Sequence, residues 1–341
     1  MSGLNATMSG ILSRHIKGRG VAGVAVVQKS GEQSQSTWLP SSLPDEPTFL
    51  AYSITKTIIA VLILLLQDER RLDIDDNLMR WFPQFAGSEQ MSIRQLLNHT
   101  AGVPDYGPLP QYHEAVRTSP STPWSIEQFA AETFGKGLSF PPGTGWAYSN
   151  PGYMLLKQIA EQVAETTFAD LVAKRIAEPL QLHRLFVPQS VGDLSSLAPG
   201  PSRLLSVDRT PRDTRDHYHP GWVSHGVVAS PPSELAVFLD ALFHGRLISA
   251  NSLDEMTTLI PVPVTPAATD RLRKPSQGLG LMADPESPWG PVWGHNGGGP
   301  GYNTSAFHAP ELGGVSVCAM GAIEEGFDAE QVVFEVLDSF V

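Results

Sequence analysis

The sequence predicts an α+β fold: an antiparallel sheet assembled from both chain ends, flanked by helices, with a helical lobe inserted between its halves. Three observations carry this. Short β-branched runs lie near the start, at residues 21–29 and 35–39, and again near the end, at 289–295, 304–308 and 314–320. The interval from Asp73 to about Pro220 is mostly helical in pattern. The 31 glycines and 29 prolines are spread throughout, which marks ordered loops rather than a low-complexity tract. The expectation is a single domain over residues 1–341, with a sheet lobe at about 1–60 and 223–341 and a helical lobe at about 61–222. A cleft between two such lobes is a natural ligand site.

The elements follow in order. Residues 6–17 place Met8, Ile11, Leu12 and Ile16 at helical spacing. Residues 21–29 form a strand between Gly20 and Gly31, with further strands near 35–39 and 48–51. Residues 53–70 make a long apolar helix with a polar first turn of Ser53, Thr55 and Lys56. Ser92 caps a short helix to Asn98, and Ser125 with Gln128 makes a capping-box pattern for another reaching Phe134. Helices are expected at 153–164 and 168–177, then an irregular Pro-, Ser-, Asp- and Arg-rich excursion over 188–220. A helix at 233–244, the three late strands and an amphipathic helix at 329–340 complete the chain.

Composition narrows the function. Charged residues are 17% of the chain and hydrophobic ones 41%, which excludes a disordered polymer. The net charge of −12 and the lack of any long Lys/Arg run argue against a nucleic-acid partner. Cys318, the single cysteine, excludes a disulfide framework or a multi-cysteine metal site within the chain, and its apolar neighbours make it a buried strand residue. The longest apolar run, residues 58–66, is far short of the about 20 residues of a membrane span. Residues 1–20 lack a basic segment followed by a continuous apolar one, so no secretory signal is read and a cytoplasmic location is expected. No cofactor and no metal are expected; Asp213, Asp216, His217 and His219 cluster in sequence without a recognisable ligand spacing.

Three fragments carry chemistry. Ser53 and Lys56 lie three residues apart at the start of the most apolar helix, so both sit on one face. A serine hydroxyl needs a base, and a lysine among apolar walls loses proton affinity and can serve as one. The bland alternative is a serine cap beside a snorkelling lysine. In Trp146-Ala147-Tyr148-Ser149-Asn150, Tyr148 can shuttle a proton if nearby cations lower its pKa, and Asn150 can bind a carbonyl or orient the lysine. The alternative is a packed loop tyrosine followed by a turn at Pro151. In Gly294-His295-Asn296-Gly297-Gly298-Gly299-Pro300-Gly301, glycine amides can face an oxyanion and His295 can supply a proton or positive charge. The alternative is a glycine-rich hairpin with a surface histidine. His225 could line the cleft, His99 could pack within the helical lobe, and Trp146, Trp222 and Trp293 could form pocket walls. No Gly-x-Ser-x-Gly elbow occurs.

Taken in order, Ser53-x-x-Lys56, Tyr148-x-Asn150 and His295-Asn296-Gly297 resemble the three motifs of the serine β-lactamase and penicillin-recognising superfamily. Residues 93–104, Pro142-Gly143-Thr144, Glu178-Pro179-Leu180 and Gly278-Leu279-Gly280 are similar as well, most of all to the class C branch with its DD-peptidases and esterases. The resemblance covers residues 10–340. It implies a β-lactamase/transpeptidase-like fold and an acyl-enzyme mechanism on an ester, amide or peptide. Ser53 would be the nucleophile, and Lys56 and Tyr148 would exchange its proton. The Ser53 and Gly298 amides would bind the oxyanion, with Gly297 opening the approach and Asn150 and His295 positioning substrate. True class C β-lactamases usually carry lysine where this chain has His295. That departure favours an esterase-like activity over antibiotic hydrolysis, with acyl transfer or D-amino-acid peptide processing as alternatives and a non-catalytic binding protein as the least favoured.

Overall fold

A computed structural model describes residues 2–28, 31–85, 87–263, 273–323 and 326–341. Its main sheet has eight antiparallel strands: β1 (Val21–Gln28), β2 (Gln33–Leu39), β3 (Ile260–Pro261), β4 (Ser276–Gln277), β5 (Met282–Asp284), β6 (Val292–Gly299), β7 (Tyr302–Ala309) and β8 (Val315–Ala322). Their spatial order is β2-β1-β8-β7-β6-β5-β4-β3. The first and last strands of this sheet in chain order therefore pair directly, Val21 opposite Ala322 through Val27 opposite Ser316. Lys29, expected at the end of β1, lies outside the described residues.

Alternation along β1 divides its side chains between two layers. Ala22, Val24 and Val26 join the helices Ser2–Ile16 and Ala329–Asp338 in one apolar cluster. Ala25 and Val27 face the other way, into the cluster that holds helix Pro232–Phe243. Cys318 is fully buried in that second layer, in β8. The same cluster continues through helix Thr55–Asp68, whose residues 55–64 are all buried, into the helical lobe. Apolar side chains around its whole circumference leave this helix no position but the interior.

Several expected elements sharpen. Residues 93–97 form a helix with Ser92 and Gln95 as a reciprocal capping box, and Ser125 caps Ile126–Glu132. The helix expected from 153 begins at Asn150, because Ser149 caps it and Pro151 fits its first turn. The segment expected as helix over 168–177 is α-helical only at Phe168–Val172 and continues as a π-turn. The 188–220 excursion is a chain of short 3-10 turns with a two-residue ladder. The late glycine-rich fragment differs most: Gly297–Gly299 belong to β6, in register with Thr304, Asn303 and Tyr302, and the hairpin turn falls at Pro300–Gly301. No helix among the described residues is long and apolar enough to cross a membrane.

Candidate active site

The Ser53 turn is pinned on three sides. Tyr52–Ile54 forms a single 3-10 turn that leads into helix Thr55–Asp68. The Ala51 N–H donates to the Val228 carbonyl at 2.7 Å, and the Val228 N–H donates to Thr55 Oγ1 at 3.0 Å. The Thr304 hydroxyl donates to the Ala51 carbonyl at 3.1 Å, which ties the turn to β7. Tyr52 adopts a left-handed φ of 46°, a conformation that a bulky residue holds only when its surroundings impose it. Here its hydroxyl donates to the Pro300 carbonyl at 2.5 Å, so the hairpin after β6 anchors the residue preceding Ser53.

Two glycines are required by close approach. At Gly280, with φ 70°, a Cβ would lie 2.5 Å from that of Ala60, so its absence lets the 278–280 segment cross the helix; Thr57 Oγ1 donates to the Gly280 carbonyl. At Gly297 a Cβ would lie 2.3 Å from the Ala51 carbonyl oxygen and 3.0 Å from the Ser53 amide nitrogen. Strand β6 can therefore run against the serine turn only as glycine. Gly298, next along, is exposed and lines the same pocket as Ser53.

The polar groups converge. Ser53 Oγ accepts a hydrogen bond from the Tyr148 hydroxyl at 2.8 Å and lies 3.1 Å from Lys56 Nζ. Lys56 is completely buried and also donates to Asn150 Oδ1 at 2.7 Å. Asn150 is held in turn by Asp105, whose Oδ1 accepts both its backbone N–H and its Nδ2 at 3.0 Å. That arrangement fixes the amide with its oxygen toward Lys56. His225 Nε2 lies 3.3 Å from Lys56 Nζ on a third side. His99 accepts the Ser149 N–H on Nδ1 at 3.2 Å and packs its ring 4.6 Å from that of Tyr148, as expected for a packing residue.

The electrostatics follow from burial. It pushes the Lys56 ammonium well below the ordinary lysine value, with Asp105 opposing. It pushes the Tyr148 phenol up, with the Ser53 hydrogen bond opposing. Burial thus favours a protonated Tyr148 phenol and weakens the hold of Lys56 on its proton. His295 departs from expectation too. It is buried, donates from Nδ1 to its neighbour's carbonyl at 2.6 Å and has its pKa lowered to about 3, by burial first and the Lys56 charge second. It is uncharged at neutral pH and supplies no positive field.

The pocket at Ser53 has a volume of about 200 Å³ and is walled by Tyr52, Tyr106, Tyr112, Tyr218, Leu204 and Val223. None of the three tryptophans expected as walls lines it. Trp222 sits beneath, donating to the Pro120 carbonyl; Trp146 packs on His99, and Trp293 beside Phe243. Asp213 pairs with Arg215, while His217 and His219 bond to nearby backbone, and no group of three or more metal-ligating side chains occurs among the described residues. Sequence analysis did not identify Asp105, although it directly follows the 93–104 stretch, nor Thr304 and the pocket-lining His113 and Arg117.

The chain belongs to the beta-lactamase family, whose model, described as Beta-lactamase, matches residues 9–325. A penicillin-binding protein of Bacillus subtilis (strain 168) is 28% identical over 74% of this chain and 56% of its own length. Esterase EstB of Burkholderia gladioli is 26% identical over 52% of this chain and 50% of its own. The chain thus spans about half the length of the curated relatives it matches. Among solved structures, a D-stereospecific amidohydrolase from Streptomyces sp. superimposes with a TM-score of 0.82 at 27% identity, covering 96% of this chain and 97% of that one. The D-amino acid amidase of Ochrobactrum anthropi SV3 shares the fold, with a TM-score of 0.81 at 24% identity over 99% and 98% of the two chains.

Proposed function

We propose that this protein is a serine hydrolase acting through a Ser53 acyl-enzyme on ester or amide bonds of small molecules, with carboxylesterase-like substrates foremost. The observation that carries the reading is Ser53 Oγ held between the Tyr148 hydroxyl at 2.8 Å and Lys56 Nζ at 3.1 Å. The Lys56 amine takes the Ser53 proton as Oγ bonds to the substrate carbonyl carbon, and the carbonyl oxygen becomes an oxyanion facing the Ser53 and Gly298 amides. Collapse breaks the bond to the leaving alcohol or amine, which takes a proton from Lys56 by way of Tyr148. Water then repeats the sequence and frees the acid. Gly297 keeps the strand close, Asn150 orients Lys56, and neutral His295, in mid-strand with its ring 6.3 Å from that of Tyr148, helps to position the substrate. The tyrosines, Leu204 and Val223 suit an apolar or aromatic acyl group; Arg117 and His113 also line the pocket, and no Asp or Glu does so among the described residues to receive a free ammonium.

A second reading, cleavage of amides or D-amino-acid peptides, draws support from the likeness to the Streptomyces amidohydrolase. Acyl transfer would use the same intermediate with another acceptor, and β-lactam turnover is less favoured. The test is Ser53→Ala with p-nitrophenyl esters, together with intact-mass detection of acyl-enzymes across esters, D-peptides and β-lactams. Loss of turnover and of the mass increment is expected; unchanged hydrolysis in the folded variant removes the assignment.

A further inference from the structure

Lys56 can act as a base toward Ser53 only if its lone pair is directed there. The surrounding donors and acceptors constrain that direction. Asn150 Nδ2 is committed to Asp105, so Oδ1 must face Lys56 and can only accept. The Tyr148 phenol stays protonated and donates to Ser53 Oγ. The Ser53 hydroxyl hydrogen is then free to point at the Lys56 nitrogen. One N–H of the neutral amine goes to Asn150, and the other has His225 Nε2 at 3.3 Å as its remaining polar neighbour. Were His225 protonated on Nε2, it would occupy the lone pair that Ser53 needs.

We propose that His225 is the positioning residue for Lys56: a neutral imidazole that carries its proton on Nδ1, buried without a hydrogen-bond partner among the described residues, and whose Nε2 accepts an amine N–H and so aims the Lys56 lone pair at Ser53. This rests on the hydrolase reading above. Its surroundings keep the ring uncharged, since it is buried and no carboxylate among the described residues touches it. When Lys56 takes the serine proton, Nε2 is already placed to accept from the ammonium, alongside Asn150. His225 holds no bond to substrate in this scheme and acts through Lys56. Its place in Val223-Ser224-His225-Gly226 puts it on the pocket wall, which is where the sequence located it.

The experiment compares His225→Gln, His225→Asn and His225→Phe. A glutamine can present an acceptor near the Nε2 position, whereas an asparagine ends near Nδ1 and falls short of Lys56. His225→Gln is expected to keep kcat within about threefold, while His225→Asn and His225→Phe lose about tenfold or more in kcat with little change in KM. The acidic limb of kcat/KM should move to lower pH in His225→Phe, because the ammonium has lost an acceptor, and return in His225→Gln. Equal activity and equal pH profiles in all three variants would overturn the role, as would a glutamine variant as impaired as phenylalanine. Nitrogen-15 NMR of the wild-type imidazoles provides a readout free of variant folding. An unprotonated Nε2 at His225 is expected, and a protonated Nε2 defeats the proposal. Ser53→Ala assayed in parallel separates the outcomes, since hydrolysis that survives there removes the enzyme assignment itself rather than the part played by His225.

Discussion

The closest packing in the site is the contact between Gly297 and the serine turn, and Gly297→Ala is its direct test. The added methyl would lie 2.3 Å from the Ala51 carbonyl oxygen, 2.5 Å from Thr304 Oγ1 and 3.0 Å from the Ser53 amide nitrogen. Two of these neighbours are backbone and cannot swing aside. The third makes the hydrogen bond that ties the turn to β7. Overpacking of this kind costs about 1–3 kcal/mol, and losing the Thr304 bond adds about 1 kcal/mol. Relief requires β6 to move away from Ser53, which displaces the amides that face the oxyanion. Loss of one such donor lowers kcat by about 10²–10³-fold. Gly298→Ala is the matched control, because its methyl meets only Asn303 Nδ2 at 3.7 Å, an ordinary contact. It should shift stability by less than about 0.5 kcal/mol and alter KM more than kcat. Urea unfolding midpoints and ester kinetics for both variants decide the matter. If Gly297→Ala unfolds and turns over like the wild type, or if the two substitutions are equally damaging, the reasoning from close approach is wrong.

Asp105→Asn keeps an acceptor for Asn150 but deletes the negative charge that raises the Lys56 pKa, so the acidic limb of kcat/KM should move to lower pH; a shift upward would contradict the assignment of Lys56 as base. Removing the acceptor as well, in Asp105→Ala, should destabilise by about 1–3 kcal/mol, visible in the unfolding midpoint. His308, stacked on Phe243 at 4.4 Å, has its pKa lowered to about 3, by burial first and then His244. The unfolded chain takes up that proton near the ordinary histidine value of about 6.5 and the folded chain does not, so stability falls as pH drops from about 6.5 toward 3. His308→Gln should therefore lose less stability than the wild type between about pH 7 and pH 4.5, and identical losses would refute the linkage.

Legibility in the sequence followed the range of the interaction. Helix Thr55–Asp68 and strands β1 and β8 are announced by local apolar patterns, and the caps at Ser92 and Ser125 by their serines, although the reciprocal box expected at Ser125 and Gln128 forms at Ser92 and Gln95 instead. Ser53, Lys56 and Tyr148 were legible because their residue types and order are distinctive. The strand character of Gly297–Gly299 was not, since glycine ordinarily weakens a strand and only the turn lying against it explains the choice. Asp105 is joined to Asn150 across 45 residues, and no local pattern marks that contact. The charge states of His295 and Tyr148 are not legible locally for a related reason: burial decides them, and burial is a property of the assembled lobes.

The pairing of β1 with β8 also sets a schedule. Ser53 and Lys56 are synthesised well before the strand that fences the serine turn and the hairpin that anchors Tyr52, since Tyr52 and its partner Pro300 are 248 residues apart. Until then β1 presents a bare edge on one side, and contacts of such long sequence separation form slowly. A nascent or truncated chain lacking residues 292–322 would carry Ser53 without the Gly298 amide proposed as the second oxyanion donor. The constellation around Ser53 therefore assembles only once strands far apart in sequence have paired.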